Sequence, residues 1–266
     1  MLLAVTDYCS MGCSHCMSSC DTTGKHITQE QLIKNLDYAY DILESSSVKI
    51  LMITGGEPFE HPEIKSVLKT IGDYTKRHPI VPVIIATNGY TLANNMSLLN
   101  WYRDFIKSHH SIMTQVTNFP EWYPNNLTEK NKYHLSKIQR SMVIDDNKDV
   151  PLYPQGRALT LPNPKWNFGS GTKCTNMRLF ANQLQTHSFK AVVRAITNVR
   201  ACVPRINVNG SISLGESRLY PPIGNIDDSD ELLFQNTKNC RCVSCAIPFK
   251  HIKETNPIAY NLVMGG

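Results

Sequence analysis

No apolar run in this chain approaches the roughly 20 residues that a helix needs to cross a bilayer, and no basic segment backed by an apolar stretch precedes the first strand-like run at Leu2. A membrane-spanning or secreted protein is therefore not expected, and a cytoplasmic one is. Internal repeats, low-complexity tracts and blocks of like charge are missing as well, so neither a solenoid nor a disordered tail is expected. The net charge of +5 is scattered and names no partner. What remains is a chain of 266 residues, 41% hydrophobic and 18% charged. That is a soluble globular composition, long enough for one domain with an appendage or for two small domains.

Cysteine is plentiful by contrast. Nine cysteines in a secreted chain would suggest disulfides, but an odd number, tight clustering and a reducing compartment suggest metal ligands. Cys9, Cys13 and Cys16 follow at once on the apolar run Leu2-Leu3-Ala4-Val5, in the order Cys-Ser-Met-Gly-Cys-Ser-His-Cys. Thiolates hold iron–sulfur clusters, and a four-iron cubane wants four protein ligands. A loop offering three leaves one iron open for a substrate or cofactor. Zinc sites and buried free thiols are the alternatives, but zinc loops usually pair two Cys-x2-Cys units, which a lone triplet does not match.

Downstream, Thr28-Gln29-Glu30-Gln31 reads as a capping box. Leu32, Leu36, Ala39 and Leu43, with Ile33 and Tyr40 widening the stripe, predict an amphipathic helix ending near Glu44. Val48 to Thr54 predicts a strand covered on both faces, which delivers the chain into Gly55-Gly56-Glu57-Pro58. Ile64 to Tyr74 predicts a second helix and Val83 to Thr87 a third strand closed by Asn88-Gly89. A third helix is expected between Leu92 and Lys107, a fourth strand over Ser111 to Thr117, and a fifth with its preceding turn in Ser136 to Ile144. Strands alternating with helices argue for parallel pairing, with ligands at the carboxyl ends of the strands. The cysteine loop, the Gly-Gly-Glu-Pro turn and Thr87-Asn88-Gly89 should then converge on one rim. Between Asn118 and about Ser170, prolines at 120, 124, 151, 154, 162 and 164 break any long helix. Phe189 to Ala201 is expected to be helical, and Asn209-Gly210 between Arg205 to Val208 and Ser211 to Leu214 predicts a hairpin with both turn residues at positive φ.

The cysteine loop after a first strand resembles the radical S-adenosylmethionine (radical SAM) superfamily, and His15 stands where that family often has an aromatic residue or histidine before the third cysteine. The resemblance implies a partial (β/α)6 barrel, a four-iron four-sulfur cluster on Cys9, Cys13 and Cys16, and S-adenosylmethionine chelated at the open iron. Reductive cleavage would yield a 5′-deoxyadenosyl radical for hydrogen abstraction, with flavodoxin or ferredoxin as the kind of electron donor required. Gly55-Gly56-Glu57-Pro58 resembles the family's motif whose backbone and acidic side chain hold the cofactor's amino group, and an ammonium does need such acceptors. Thr87 and Asn88 resemble the polar end of the family's third strand. Thr117, with Gln115, stands where a cofactor-contacting hydroxyl is often found. Arg157 in Gly156-Arg157-Ala158 resembles a segment of peptide-modifying members, although an isolated arginine is more often a surface residue.

Cys20 is read as a free thiol, either a small buried side chain or a catalytic hydrogen-atom donor as in radical SAM peptide epimerases. Cys174, Cys202, Cys240, Cys242 and Cys245 lie in the last third. Cys-Arg-Cys-Val-Ser-Cys at 240–245 predicts a metal site, an auxiliary iron–sulfur cluster ahead of zinc. A cysteine, a glycine hairpin and then a cysteine cluster resemble the Twitch and SPASM appendages, although Leu214 and Gly215 stand where a cysteine usually follows the hairpin. The expected ligand set is Cys202, Cys240, Cys242 and Cys245, with Cys174 as a substitute. The expected division is a radical SAM core over 1–185 and a cysteine-rich region over 186–266. A peptide is the leading substrate; a small metabolite, nucleotide or nucleic acid is the alternative. A non-catalytic metal-binding or electron-transfer protein is a further rival, but it gives no reason for the Gly-Gly-Glu-Pro turn beside a three-cysteine loop.

Overall fold

The computed structural model describes residues 1–145, 152, 155–162, 187–199 and 203–238. Strand and helix alternate as expected: β1 (Leu2–Thr6), α1 (Gln29–Glu44), β2 (Leu51–Gly55), α2 (Ile64–Arg77), β3 (Val83–Thr87), α3 (Tyr90–Asn94), α4 (Met96–Lys107), β4 (Ile112–Asn118), α5 (Glu129–Ser136) and β5 (Ser141–Asp145). A 3₁₀ turn at Gly156–Thr160 precedes α6 (Phe189–Val199), β6 (Pro204–Ile206), β7 (Ser211–Leu214), β8 (Gly224–Asn225) and α7 (Asp230–Lys238). The eight strands form one sheet in the order β5-β4-β3-β2-β1-β6-β7-β8. Neighbours from β5 to β6 pair in parallel, whereas β6, β7 and β8 pair antiparallel. The sixth parallel strand thus joins the free edge of β1 and carries the hairpin with it.

Alternation along the strands decides which face meets the helices. Leu3, Val5, Leu51, Ile53, Val83, Ile85, Ile112 and Val116 are fully buried and share one core with the helix stripes Leu32-Leu36-Ala39-Leu43 and Ile64-Val67-Leu68-Ile71. The alternate residues Met52, Thr54, Ala86, Gln115 and Thr117 line a cavity on the other face. One cavity bordered by β1, β2, β3, β4 and β6 requires a sheet that curves around it.

Several expectations change in detail. The Thr28 hydroxyl does accept from the Gln31 amide at 3.2 Å, but the Gln31 side chain runs forward to Asn35 Oδ1 at 2.8 Å, so the box is only half made. Ile33 is 41% exposed and lies outside the buried stripe. The third helix is two: Asn95, with extended backbone, ends α3 and caps α4 by accepting from Leu98 N at 3.0 Å. Helix α5 falls in the proline-broken stretch, where eight residues suffice because Thr128 and Asn131 form a full capping box. The hairpin turns through Asn207 to Gly210 with only Gly210 at positive φ, +79°, so the loop is four residues long. The expected boundary at 185/186 lies outside the described residues.

Asn35, fully buried in α1, donates to Asn207 O at 3.1 Å and ties the first helix to the hairpin 172 residues away. Asn35→Ala removes one of the two donors on that carbonyl, the other being Gly210 N at 3.0 Å, and the acceptor of the Gln31 side-chain amide, a loss of about 1–3 kcal/mol. The urea midpoint should fall with the slope of the transition unchanged.

Candidate metal and cofactor site

The exits of the first three strands are tied into one rim by backbone geometry. Gly56 N donates to Thr6 O at 2.7 Å and Glu57 N to Tyr8 O at 2.9 Å, so the turn after β2 is pinned to the entrance of the cysteine loop. A Cβ on Gly55, whose φ is +142°, would lie 1.9 Å from Thr6 O, and one on Gly56 would lie 2.0 Å from Tyr8 O. Both positions therefore require glycine. Pro58 opens a 3₁₀ turn, Pro58–Glu60, whose Glu60 carboxylate accepts from Ser10 N at 2.7 Å, Ser10 Oγ at 2.5 Å and Thr91 Oγ1 at 3.0 Å.

Glu57 is 1% exposed, and its oxygens accept from Thr87 Oγ1 at 2.6 Å, Asn88 N at 2.8 Å and Phe59 N at 3.1 Å. The carboxylate is a clamp between the β2 and β3 exits, Oε1 taking two of the donors and Oε2 one, and it borders the cavity beside the backbone of the turn. Thr87 Oγ1, besides donating to Glu57, accepts from Gly89 N at 2.9 Å. Asn88 and Gln115 border the cavity directly, and Thr117 Oγ1 lies 3.0 Å from the Tyr123 hydroxyl. Burial raises the Glu57 carboxyl to about 7 against the pull of its three donors.

Cys9, Cys13 and Cys16 all border the cavity of about 630 Å³, together with Gly55, Gly56 and Glu57. Burial pushes the Cys9 and Cys13 thiols up to about 12. Cys16 is drawn down to about 5, chiefly by a hydrogen bond from the Cys20 thiol. Cys20 is 1% exposed, and its Sγ also lies 3.8 Å from Gly55 O. Met11, Tyr123, Tyr90 and Phe119 pack around the cysteines as an apolar collar. His15 stacks on Tyr123 with ring centroids 5.5 Å apart, and burial lowers its imidazole to about 4.

Three thiols on one apolar wall fit a cubane better than a single ion. No three Cys, His, Asp or Glu side chains among the described residues close around one point, as a tetrahedral ion with bonds of about 2.3 Å would demand. A cubane takes each thiolate at a different corner and needs no such convergence. The turn carbonyls beside these thiols suit the amino group of S-adenosylmethionine. Cys202, Cys240, Cys242 and Cys245, like Cys174, lie outside the described residues.

Two arginines brace the cysteine loop from distant parts of the chain. Arg157 donates from Nε to Cys13 O at 2.8 Å, from Nη1 to Cys20 O at 3.0 Å and from its backbone N to Cys16 O at 3.0 Å. Gly156, at φ +57°, allows the approach, since a Cβ there would lie 2.5 Å from Cys16 O. Arg218 donates to Ser18 O at 2.7 Å and to Ser19 O at 2.9 Å. Arg157 is thus no free surface residue. Arg218, the collar residues Phe119 and Tyr123, and Trp122 beside them escape sequence reasoning, although the density of aromatics just after β4 was a visible signal.

A sequence model of the Radical SAM superfamily matches residues 3–117. Over 96 residues, 34% of this chain, the sequence is 29% identical to GTP 3′,8-cyclase of Agrobacterium fabrum, covering 26% of that protein. Over 103 residues, 38% of this chain, it is 30% identical to 7-carboxy-7-deazaguanine synthase of Prochlorococcus marinus, covering 44% of that protein. The chain thus matches about a quarter of one relative and less than half of the other. The fold resembles that of BtrN in complex with AdoMet and 2-DOIA, with a TM-score of 0.55 and 12% identity over 90% of this chain and 84% of that one. It also resembles Streptococcus suis SuiB bound to precursor peptide SuiA, with a TM-score of 0.54 and 13% identity over 91% and 67%. At such identity the likeness establishes the fold, an α/β partial barrel.

Arg157→Met should strip the loop of two of its braces and speed loss of iron from the reconstituted protein to a chelator by about 10- to 100-fold. Arg157→Lys should recover only part of this. For Glu57, a folded carboxyl at about 7 against an ordinary 4.5 means that the folded state binds the extra proton between those values. Stability of the metal-free wild type relative to Glu57→Gln should therefore be greatest below pH 4.5 and fall as pH rises towards 7, measured by urea unfolding across that range.

Proposed function

We propose, from the premise that residues 3–117 are a radical SAM segment, that the chain is a radical SAM enzyme acting on a peptide. The observation that carries the reading is the meeting of Cys9, Cys13, Cys16 and the Gly55-Gly56 turn on one cavity. Cys9, Cys13 and Cys16 would hold three corners of the four-iron four-sulfur cluster. When bound, that cluster supplies the electron that cleaves S-adenosylmethionine to methionine and a 5′-deoxyadenosyl radical for hydrogen abstraction. The carbonyls of Gly55 and Gly56 would take the cofactor's ammonium, while Asn88, Gln115 and Thr117 border the space left for the rest of it. Phe119, Trp122 and Tyr123 keep water from the wall where the radical forms. Cys20, on the same wall, is the proposed donor of a hydrogen atom to the substrate radical, the thiyl so formed returning to thiol by an electron from the flavodoxin or ferredoxin and a proton from solvent.

A peptide substrate is supported by the likeness to SuiB bound to its precursor peptide and to anSMEcpe with bound AdoMet and a peptide, the latter at a TM-score of 0.50. A nucleotide is the second reading, favoured by the two sequence relatives, whose names carry GTP and a deazaguanine. Residues 186–266 are proposed as the cysteine-rich appendage, with Cys202, Cys240, Cys242 and Cys245 holding an auxiliary cluster. No helix among the described residues is long and apolar enough to cross a membrane. A cytoplasmic location with flavodoxin or ferredoxin as electron donor completes the proposal, since both clusters need reduced thiols.

Anaerobic reconstitution with iron and sulfide counting, followed by dithionite and S-adenosylmethionine, tests it. The wild type should release 5′-deoxyadenosine, Cys13→Ala should release none, and Cys242→Ala should retain part of the activity. Full release by Cys13→Ala would refute the site assignment. Cys20→Ala should lower transfer of solvent deuterium to the modified peptide in D2O.

A further inference from the structure

The cavity has two ends. The cysteine loop, Gly55-Gly56 and Asn88 border it at the exits of the parallel strands, and Met1, Ile50 and Val203 border it at their starts, each one residue before β1, β2 or β6. Because β7 runs antiparallel to β6, the chain leaves β7 at that second end, and Glu216, which also borders the cavity, follows two residues later. From there the loop turns back. Ser217 Oγ donates to Met17 O at 2.8 Å and Arg218 to the carbonyls of Ser18 and Ser19, while Arg205 Nη1 donates to the Glu216 carbonyl at 2.9 Å. The backbone at Glu216 is thus fixed between β6 and the cysteine loop.

The Glu216 carboxyl has no such ties. Among the described residues it makes no hydrogen bond and no ion pair, and its oxygens, unlike the sealed Nη2 of Arg205, keep open surface. Burial pushes it above the ordinary carboxylate range, with no cation to draw it back. The arginines of this region are turned to other acceptors, Arg205 to Asn207 Oδ1 and the Glu216 carbonyl, Arg218 to Ser18 and Ser19. Glu57, the other carboxylate on the cavity, already holds three donors. A largely buried carboxylate without a counter-charge is unfavourable. A cation that carries N–H donors relieves this most, through a charge-assisted hydrogen bond, whereas a neutral N–H leaves the charge uncompensated and an anion is repelled. Met1, Ile50 and Val203 offer an apolar wall at the same end of the cavity, suited to the aliphatic stem of a basic side chain. The cofactor's own ammonium is a separate matter, since the turn after β2 and the exit of β7 lie on opposite sides of β1 in the sheet.

We propose that Glu216 binds a basic side chain of the peptide substrate, its carboxylate accepting from the ammonium of a lysine or the guanidinium of an arginine. The subsite rests on the peptide reading given above and names the part of the peptide that the cavity selects.

Saturation-transfer NMR titrations of the reconstituted protein with S-adenosylmethionine bound would compare Nα-acetyl-lysinamide, Nα-acetyl-argininamide, the uncharged Nα-acetyl-norleucinamide, and guanosine. The wild type should bind at least one basic probe about tenfold more tightly than the norleucine probe, the contribution of one hydrogen bond to a charged group. Which basic probe is preferred tells ammonium from guanidinium. Glu216→Gln should bring the basic probes to the level of the norleucine probe and leave that probe's binding unchanged, and Glu216→Asp should keep part of the preference. Iron content and circular dichroism check folding of the variants, and the comparison of basic with norleucine probes on the wild type needs none of them. The subsite is overturned if the norleucine probe binds as tightly as both basic probes, if no probe binds, or if Glu216→Gln keeps the wild-type preference. Preference for guanosine overturns it together with the peptide reading. Release of 5′-deoxyadenosine by the wild type is measured separately: release without the basic preference removes the subsite alone, and the preference without release removes the radical SAM reading alone.

Discussion

Everything at the rim hangs on a buried carboxylate. Glu57 draws hydrogen bonds from Thr87 Oγ1, Asn88 N and Phe59 N, while the amides of Gly56 and Glu57 reach back to Thr6 and Tyr8. Four of these hydrogen bonds join the exits of β1, β2 and β3 beyond the ladders that pair the strands, and the fifth, from Phe59 N, shapes the turn itself. Burying a carboxylate is unfavourable, and its raised pKa records that cost. The gain is positional: the cysteine loop and the turn beside it face one cavity because both hang from the same knot.

The cysteine loop has little regular structure of its own and borrows rigidity from elsewhere. Two of its residues, Gly12 and Ser19, take positive φ. Its carbonyls are received by Arg157 and Arg218, and its first turn by Glu60 through Ser10. Guanidinium groups suit this work because each offers several donors in a fixed plane to carbonyls that lie apart from one another. A cluster ligand must be held without being strained, and such bracing by neighbouring groups is what orients it.

Much of this was legible in the chain before any coordinates. Strand β3 and the helix over Ile64 to Tyr74 follow from apolar period, and the convergence of three motifs follows from their placement after parallel strands. The side-chain roles were less legible. Glu57 reads in sequence as an acceptor for ammonium; in the fold it also accepts from Thr87, Asn88 and Phe59, because which donors a carboxylate meets depends on what the next strand brings beside it. Arg157 reads as an isolated cation for the same reason, its partners lying 137 to 144 residues earlier. Helix α5 was masked by prolines that in fact flank it.

What the sequence alone determined is what depends on local order: three thiols close together in one loop after the first strand, glycines where backbone must pass close to backbone, and an alternation of periods that makes a parallel sheet. What only the tertiary structure decided is which polar groups are spent and which are idle. Arg205 meets the Glu216 carbonyl and stands 3.9 Å from Asp7 because β6 crosses to the free edge of β1. No spacing in the chain encodes that meeting, since burial and partnership are properties of surfaces brought together by folding.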